Sequence, residues 1–324
     1  MILLTMLSDF GVTYMKQQQI RALVAIADMG SIRSAAVELN TSQSALTRAM
    51  RELEESLGVE LLQRSYRGVT FTPAGEALLK RARLIVATIE RAKDEVQQIG
   101  GGRGAKVSIG VTPVIAATVL ADMYKGFHSR MPEAKLVLTE GLLTTILPGL
   151  IEGALDFGIA LASKESMPSE LVFEPLCNVK TVVVGRAGHP LADSNDWREL
   201  LNASWVLNMS LGSSSNSLLQ WLEEEGLPRP REVVQCTSPQ VMLEMMRRTD
   251  LIGYAPARYI TDRLSGAGVE PFSVGTLPPE NQLGIVKVRG VPLTPAAQYL
   301  QTLAQRLLTS DFSKELTDPM LQSS

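Results

Sequence analysis

The side chains best suited to recognition chemistry lie on one face of a stretch near the N-terminus. Between residues 43 and 57 the apolar residues recur at spacings of four and three, which predicts an amphipathic helix pinned by one face. The other face presents Gln43, Ser44, Thr47, Arg48 and Arg51. Amide, hydroxyl and guanidinium groups of this kind can bond to base edges in the major groove of DNA. The residues alone leave a second interpretation open, because an amphipathic surface helix also turns its polar face to water.

A helix-turn-helix is the element that would present this face to DNA. Apolar residues at helical spacing end at Gly30, and Ser31 can cap a short second helix that runs to Leu39. A tight turn then leads to the helix that carries the polar face. Ser42 precedes that helix, so the free backbone N–H groups and the positive dipole end beside it can hold a DNA phosphate.

The next helical pattern carries a stripe typical of a coiled-coil seam. Downstream of Pro73 the apolar residues alternate at spacings of four and three over three heptads, with charged residues between them. A lone helix packed on its own domain can show such a stripe over two turns, so the greater length favours pairing of two chains. The residues predicted to form the dimer contacts are Leu78, Ala82, Ile85, Ile89, Ala92 and Val96.

Residues 100–104 include four glycines and mark the clearest break in the chain. Beyond them, strand and helix patterns alternate in two sets, which predicts two lobes with parallel α/β sheets and a ligand cleft between them. Thr112 and Ser238 each follow a strand and precede a helix, where N–H groups can hold an anion, although simple helix capping explains both residues equally well. The three serines after Gly212 can cradle a phosphate or form an ordinary loop.

These patterns predict a multidomain chain. A helical DNA-binding domain comes first, a long helix follows, and a two-lobed α/β sensor comes last. The predicted bounds are 1–14 for an N-terminal extension, 15–72 for the DNA-binding domain, 73–99 for the linker dimerisation helix, 100–105 for the hinge, 106–310 for the sensor and 311–324 for a tail. Within the sensor, one lobe takes residues of about 106–177 and 256–310, and the other takes 178–255.

Charge and composition favour a DNA-binding regulator of the cytoplasm. Residues 15–104 contain 13 Lys and Arg against 10 Asp and Glu, whereas residues 105–324 contain 18 against 23. This is the asymmetry expected of a basic DNA-binding segment joined to an acidic sensor. Random variation along a chain also produces a difference this small, so charge alone does not decide between the two. No apolar run approaches the roughly 18 residues of a membrane helix, and the start lacks the basic region of a signal peptide. Two cysteines, Cys177 and Cys236, suit a reducing compartment.

Other classes of protein fit the sequence less well. Only two histidines are present, and no acidic cluster has the spacing of metal ligands, so we expect no metal site and no cofactor. An enzyme on the same body would need catalytic residues, and the chain has no GxSxG, HExxH, P-loop or GxGxxG motif. A solute-binding protein would need an export signal. An architectural DNA-binding protein would leave the acidic α/β half unexplained.

A collinear set of residues from Gly30 to Glu76 resembles the LysR-type transcriptional regulators. The matching segments are Gly30-Ser31-Ile32, Ala35-Ala36, Leu39, Ser42 to Arg48, Leu53-Glu54, Leu57-Gly58-Val59, Leu61-Leu62, Arg64 and Phe71 to Glu76. The resemblance continues more loosely through the sensor, at Glu140-Gly141-Leu142, Gly153 to Ile159 and Gly188-His189-Pro190-Leu191. It departs at Ser44, where the family usually has proline.

The resemblance implies a winged helix-turn-helix, a linker coiled coil and a two-lobed sensor like the type 2 periplasmic solute-binding proteins. It implies that the protein is not an enzyme, that dimers assemble into tetramers, and that RNA polymerase is a possible partner. Family positions that contact double-stranded DNA fall on Gln43, Ser44, Thr47 and Arg48, with wing residues near Tyr66 and Arg67.

The resemblance also places an effector pocket between the sensor lobes. The implied positions are Thr112, Leu142, Asn208, Met209, Ser210 and Ser238, with Leu161 among the apolar neighbours. Thr112 and Ser238 each lie at a turn from a strand to a helix, where backbone N–H groups converge. We therefore expect a small organic anion to bind beside these two residues. An aromatic carboxylate or sulfonate is one candidate, since the sequence resembles family members that regulate the uptake and breakdown of small aromatic acids.

Overall fold

The computed structural model describes residues 15–65, 68–99, 104–163, 167–210, 213–261 and 266–312. The chain divides between Lys93 and Asp94 into two compact units. The predicted extension of residues 1–14 and the wing residues Tyr66 and Arg67 lie outside the described ranges, as does most of the predicted hinge and tail. Across the described ranges, none of the helices combines the length and the apolar character that a membrane crossing needs.

The first unit contains three helices, a β-hairpin and the start of a long helix. Their bounds are α1 Gln17–Met29, α2 Ile32–Glu38, α3 Gln43–Leu57, β1 Leu62–Ser65, β2 Gly68–Phe71 and α4 Pro73–Ile99. Gly30 and Gly58 end α1 and α3 with φ of 69° at each glycine, a conformation that side chains with a Cβ disfavour. Ser31 caps α2 as predicted, because its Oγ accepts a hydrogen bond from the N–H of Ser34 at 3.1 Å.

The core of the first unit explains half of the apolar stripe on α4. Leu78 and Ala82 pack among buried residues of α1, such as Leu23, and Ala82 has no exposed surface. Arg83 and Asp28 form an ion pair at 2.6 Å that ties α4 to α1. These contacts lie within the chain's own domain. This half of the stripe therefore follows the alternative interpretation, in which the helix packs on its own domain over two turns. The predicted dimer contacts left accessible are Ile85 (38% exposed), Ile89, Ala92 and Val96 (70% exposed).

The second unit alternates strands and helices in two lobes. The elements in chain order are β3 Lys106–Val111, α5 Pro113–Ala117, α6 Leu120–Arg130, β4 Lys135–Glu140, α7 Leu143–Ile151, β5 Phe157–Ala162, β6 Leu171–Val179, β7 Thr181–Arg186, α8 Trp197–Asn202, β8 Ser204–Leu207, α9 Ser214–Glu224, β9 Glu232–Gln235, α10 Pro239–Arg248, β10 Gly253–Pro256, α11 Ala257–Thr261, β11 Val269–Pro271, β12 Asn281–Val288 and α12 Pro295–Phe312. Each lobe surrounds its own buried apolar cluster.

The first lobe is built on a five-stranded sheet in the order β4-β3-β5-β12-β6. Strand β3 runs parallel to β4 and β5, whereas β12 runs antiparallel to β5 and β6. Gly284 sits at an irregularity of β12, where a Cβ would lie 2.3 Å from the carbonyl oxygen of Glu174. The sheet is therefore mixed, and the prediction of purely parallel sheets is wrong, because the last strand enters from the other lobe.

The second lobe contains a three-stranded sheet, β10-β7-β11, and a parallel pair, β8-β9. Both partners of β7 are antiparallel to it. Val269 pairs with Arg186, so β11 belongs to the second lobe and not to the first. The predicted return to the first lobe at residue 256 is therefore too early. The chain crosses between the lobes once at Lys180 and again between Pro271 and Asn281.

Candidate DNA interface and interlobe cavity

Helix α3 presents the polar face that its sequence predicts. Leu46, Met50 and Leu53 are buried beneath it and fix its orientation in the first unit. The predicted DNA contacts Ser42, Gln43, Ser44, Arg48 and Arg51 are exposed, and Thr47 is half-buried. The structure therefore brings these side chains together on one accessible surface. A helix held in this way can enter a major groove without repacking its core.

The N-terminus of α3 is capped by a side chain that can also face a phosphate. The Oγ atom of Ser42 accepts a hydrogen bond from the N–H of Ala45 at 3.1 Å. The hydroxyls of Ser42 and Ser44 lie 3.0 Å apart. The remaining first-turn N–H groups have no partner within the helix, and the helix dipole adds positive potential there. This end of the helix suits an anionic backbone oxygen.

One carboxylate lies among the cationic groups of this surface. Glu52 accepts a hydrogen bond from Nε of Arg48 at 2.9 Å, and Nζ of Lys16 lies 3.6 Å from its other oxygen. The Arg48 guanidinium, aided by Lys16, lowers the pKa of Glu52 below its ordinary value. Glu52 is therefore charged at neutral pH, and it partly neutralises a residue that we expect to contact DNA. Sequence reasoning missed this pair, although the spacing of four residues predicts it.

A second carboxylate of α3 positions the β-hairpin. Glu54 Oε1 accepts hydrogen bonds from the N–H groups of Leu61 and Leu62, at 2.8 and 3.0 Å. These are the residues at which the hairpin begins, so α3 and the start of β1 are held together by one side chain. The predicted wing contacts at the hairpin tip lie outside the described residues.

A small inner cavity lies between the two lobes of the second unit. Its volume is about 80 Å³. Residues of the first lobe, among them Thr112, Val114, Leu142 and Leu161, form one wall. The opposite wall comes from the second lobe and includes Asn208, Ser213, Ser214, Ser215, Met242, Met246 and Tyr254. None of the described residues around this cavity is Lys, Arg, His, Asp or Glu.

Four of the seven predicted effector residues meet at this inner cavity. Thr112, Leu142, Leu161 and Asn208 line it, whereas Met209, Ser210 and Ser238 do not. Ser238 caps α10 instead, because its Oγ accepts a hydrogen bond from the N–H of Val241 at 3.4 Å. Met209 packs against the core of the second lobe.

Thr112 lines the cavity without offering an anion its hydrogen bonds. Its N–H and its hydroxyl both donate to the carbonyl of Ile159, at 3.1 and 3.3 Å. The helix that follows, α5, is only five residues long, so its dipole is weak. The anion site expected at Thr112 therefore has few free donors in this structure. The start of α9 offers more.

Two buried donors at the cavity lack hydrogen-bond partners. Asn208 is 2% exposed and Tyr254 is 4% exposed. Within the described part of the chain, neither Nδ2 of Asn208 nor the hydroxyl of Tyr254 makes a hydrogen bond. Burial raises the pKa of Tyr254, and an interaction with the Thr181 side chain opposes this effect. The phenol therefore keeps its proton at neutral pH and can donate it.

Sequence reasoning missed several of the lining residues. Tyr254, Met242 and Met246 carry no local signal, because their sequence patterns are those of ordinary core residues. The serines after Gly212 did carry a signal. They begin α9, and Ser213 caps this helix by accepting a hydrogen bond from the N–H of Asn216 at 3.3 Å.

A larger and more polar cavity adjoins the inner one. Its volume is about 630 Å³, and it shares Leu161, Ser213 and Ser214 with the inner cavity. Its other lining residues include Ser163, Asn178, Asn216, Ser217, Glu224, Glu280, Asn281 and Gln282. These amides, hydroxyls and carboxylates form a polar outer chamber beside the apolar inner one.

Comparison with known proteins gives a consistent result for both units. A family model described as "LysR substrate binding domain" matches residues 100–308, and one described as "Bacterial regulatory helix-turn-helix protein, lysR family" matches residues 17–76. The chain is similar to the HTH-type transcriptional regulator TdcA of Escherichia coli (strain K12), with 28% identity over 276 residues that cover 85% of this chain and 86% of TdcA.

Solved structures show the same fold. A full-length variant of OxyR from Pseudomonas aeruginosa matches with a TM-score of 0.65 and 21% identity, over 91% of this chain and 95% of that one. Full-length CbnR complexed with its target DNA matches with a TM-score of 0.62 and 20% identity, over 90% of this chain and 99% of that one. At these identities the likeness concerns the fold alone.

Proposed function

The chain belongs to the LysR family of DNA-binding transcriptional regulators, and we propose that a small organic anion in its interlobe cavity switches its operator binding or its activation of transcription. We place this regulator in the cytoplasm, as a homodimer that assembles into a homotetramer and with RNA polymerase as a possible partner. The observation that carries the ligand part is the buried amide of Asn208, which lines the cavity with its Nδ2 unpartnered. A buried donor without a partner is unfavourable, and an acceptor atom of a bound ligand would satisfy it.

The DNA part of the proposal rests on the exposed face of α3. Gln43 and Arg48 are the residues that we expect to bond to base edges, and Ser42 and Ser44 are placed to meet phosphates. The solved structure of CbnR contains that protein in complex with its target DNA. We propose that this chain also docks on a duplex, with α3 as the reading helix.

Pairing of two chains through α4 would give a two-fold symmetric reader. The accessible part of the stripe, Ile85, Ile89, Ala92 and Val96, supplies the apolar surface for this contact. A symmetric dimer places two reading helices on two half-sites of a duplex.

The proposal is tested by DNA binding with and without small acids. Fluorescence anisotropy of a labelled duplex from upstream of the gene measures operator affinity for the full chain. We expect Gln43→Ala and Arg48→Ala each to weaken binding by roughly 1–3 kcal/mol. Arg130→Ala is the charge-matched control, because Arg130 is exposed at the end of α6 in the other unit. The DNA assignment fails if both α3 variants bind as the control does.

The ligand part has its own readout. A panel of small organic acids is titrated into the protein–operator complex, and an acid that acts as the effector changes the operator affinity or the length of duplex protected. If none of the acids changes either quantity, the proposed switch is wrong even if DNA binding is confirmed.

A further inference from the structure

The amide of Asn208 is held in one orientation at the wall of the inner cavity. The side-chain Oδ1 accepts a hydrogen bond from the N–H of Ser210 at 2.9 Å. The backbone of Asn208 is also held, because its carbonyl accepts a hydrogen bond from the Ser213 hydroxyl at 2.5 Å and its N–H donates to Oγ of Ser215 at 3.2 Å. Turning the amide over would lose the bond from Ser210. Nδ2 is therefore a fixed donor without a partner.

Tyr254 supplies a second donor from the neighbouring sheet. It lies on β10, lines the same cavity, and its buried hydroxyl is also unpartnered. Because burial keeps this phenol protonated, it acts as a donor at neutral pH. A buried donor without a hydrogen-bond partner is unfavourable. A bound molecule that carries acceptor atoms would give a partner to both donors.

The surroundings of these donors favour an anion with a single charge. Ser214 and Ser215, in the first turn of the eleven-residue helix α9, line the cavity beside Asn208. Their end of the helix carries free N–H groups and positive dipole potential. Since no cationic side chain is present among the described lining residues, a second negative charge would be buried without compensation.

The size of the cavity limits the rest of the ligand. An engineered apolar cavity of about 150 Å³ binds benzene, whereas this one measures about 80 Å³. A short hydrocarbon chain therefore fits within the inner cavity, whereas an aromatic ring would have to extend into the adjoining outer chamber. Val114, Leu142, Leu161, Met242 and Met246 give it an apolar wall.

We infer that the effector is a short aliphatic monocarboxylate of the size of acetate or propionate, bound through its carboxylate by Nδ2 of Asn208 and the hydroxyl of Tyr254 at the start of α9. This inference rests on the proposed function and narrows its ligand class. It assigns specificity to two residues, Asn208 and Tyr254, and it favours short aliphatic acids over the aromatic acids that the family resemblance suggests.

The test is isothermal titration calorimetry on the full chain with four compounds. Sodium propionate is the probe, propionamide is its neutral analogue, sodium succinate adds a second charge, and sodium benzoate adds a ring. We expect propionate to bind most tightly, at about tenfold or more above the other three. Benzoate or succinate binding more tightly than propionate would overturn the inference, and the proposed switch would survive if that acid altered operator affinity.

Two variants identify the donors. Tyr254→Phe keeps the ring and removes the hydroxyl, and Asn208→Leu removes the amide at similar volume. Each is expected to weaken propionate binding by about tenfold, whereas Ser238→Ala, outside the cavity, leaves it unchanged. Tyr254→Phe is also expected to keep or raise the Tm of the ligand-free protein, because no hydrogen bond is lost there.

Asn208→Leu can fail to fold, because Oδ1 also holds Ser210, so Tyr254→Phe is the deciding variant. Unaltered propionate affinity in a folded Tyr254→Phe protein refutes the assigned site. If propionate fails to bind, the inference is wrong, whereas the proposed switch fails only if none of the wider panel of acids changes operator affinity or the length of duplex protected.

Discussion

Replacing Glu54 tests whether one side chain holds the DNA-reading helix and the hairpin together. Its carboxylate accepts two backbone N–H groups, from Leu61 at 2.8 Å and Leu62 at 3.0 Å. Hydrogen bonds to a charged group contribute about 1.5–3 kcal/mol each when both partners are buried. Glu54 is half-buried, so we discount this and expect Glu54→Ala to lower the free energy of unfolding of the first unit by about 2–4 kcal/mol.

The expected change in melting temperature follows from the size of this unit. For a domain of 60–100 residues, 1 kcal/mol corresponds to about 4–8 °C in Tm. Glu54→Ala is therefore expected to lower the melting transition of the first unit by roughly 8–32 °C. Glu54→Gln keeps an acceptor oxygen and should have less than half of this effect. Operator affinity should fall with Glu54→Ala, since the hairpin loses its anchor.

Differential scanning calorimetry on the full chain measures the transition, and hydrogen exchange of a peptide that contains Leu61 and Leu62 localises it. Glu55→Ala is the matched control, because Glu55 is an exposed carboxylate on the same helix. If Glu54→Ala melts at the temperature of Glu55→Ala, or if exchange at Leu61 and Leu62 is unaltered, the anchoring role assigned to Glu54 is wrong.

Three further predictions use separate features of the molecule. Ile85→Asp combined with Ile89→Asp should dissociate the dimer, because each chain would bury charge in the contact between the two α4 helices. Sedimentation velocity measures this, and an intact dimer would exclude α4 as the dimer contact. Glu52→Gln should tighten non-sequence-specific DNA binding at pH 7. Because the pKa of Glu52 is lowered, its carboxylate is fully charged and paired with Arg48 at any pH above the ordinary glutamate pKa. The pairing is lost only as the pH falls through the lowered pKa. If Glu52→Gln leaves the affinity for a random duplex unchanged, this prediction is wrong. Ser238→Ala should lower the free energy of unfolding by about 1 kcal/mol through loss of the α10 cap, which urea titration measures. As a control, adding the acid should raise the Tm of Ser238→Ala and of the unsubstituted protein by the same amount.

The DNA-binding unit could be predicted closely from the sequence because its signals are local. Ser31, Ser42, Gly30 and Gly58 mark the helix ends, and each has the capping role or left-handed conformation that its type favours. Where signals are local, propensity, capping and periodicity agree, and tertiary packing does not overrule them. The stripe on α4 shows the limit of this reasoning. Periodicity cannot distinguish Ala82, which packs in its own domain, from Val96, which is 70% exposed.

The cavity could be predicted only in part because its walls come from distant segments. Thr112 and Ser238 have the same local pattern, a strand end followed by a helix, yet only Thr112 reaches the cavity. The difference arises from how the strands pair. In the same way, β11 is three residues long and its place beside β7 depends on contacts that no local pattern encodes. Tyr254 could not be singled out, since an aromatic residue on a strand is ordinarily core.

The placement of the two donors explains how occupancy could alter the sensor. Asn208 and Tyr254 both belong to the second lobe, whereas Val114, Leu142 and Leu161 belong to the first. In the proposed complex, the carboxylate is held by the second lobe while its hydrocarbon chain also contacts the first. Each methylene buried against the first lobe contributes about 0.8 kcal/mol, and this contribution exists only when the lobes are close together. A ligand shifts a conformational equilibrium by its difference in affinity for the two arrangements. The apolar contacts with Val114, Leu142 and Leu161 provide such a difference, so a short acid bound in the proposed way favours the arrangement in which these first-lobe residues contact it.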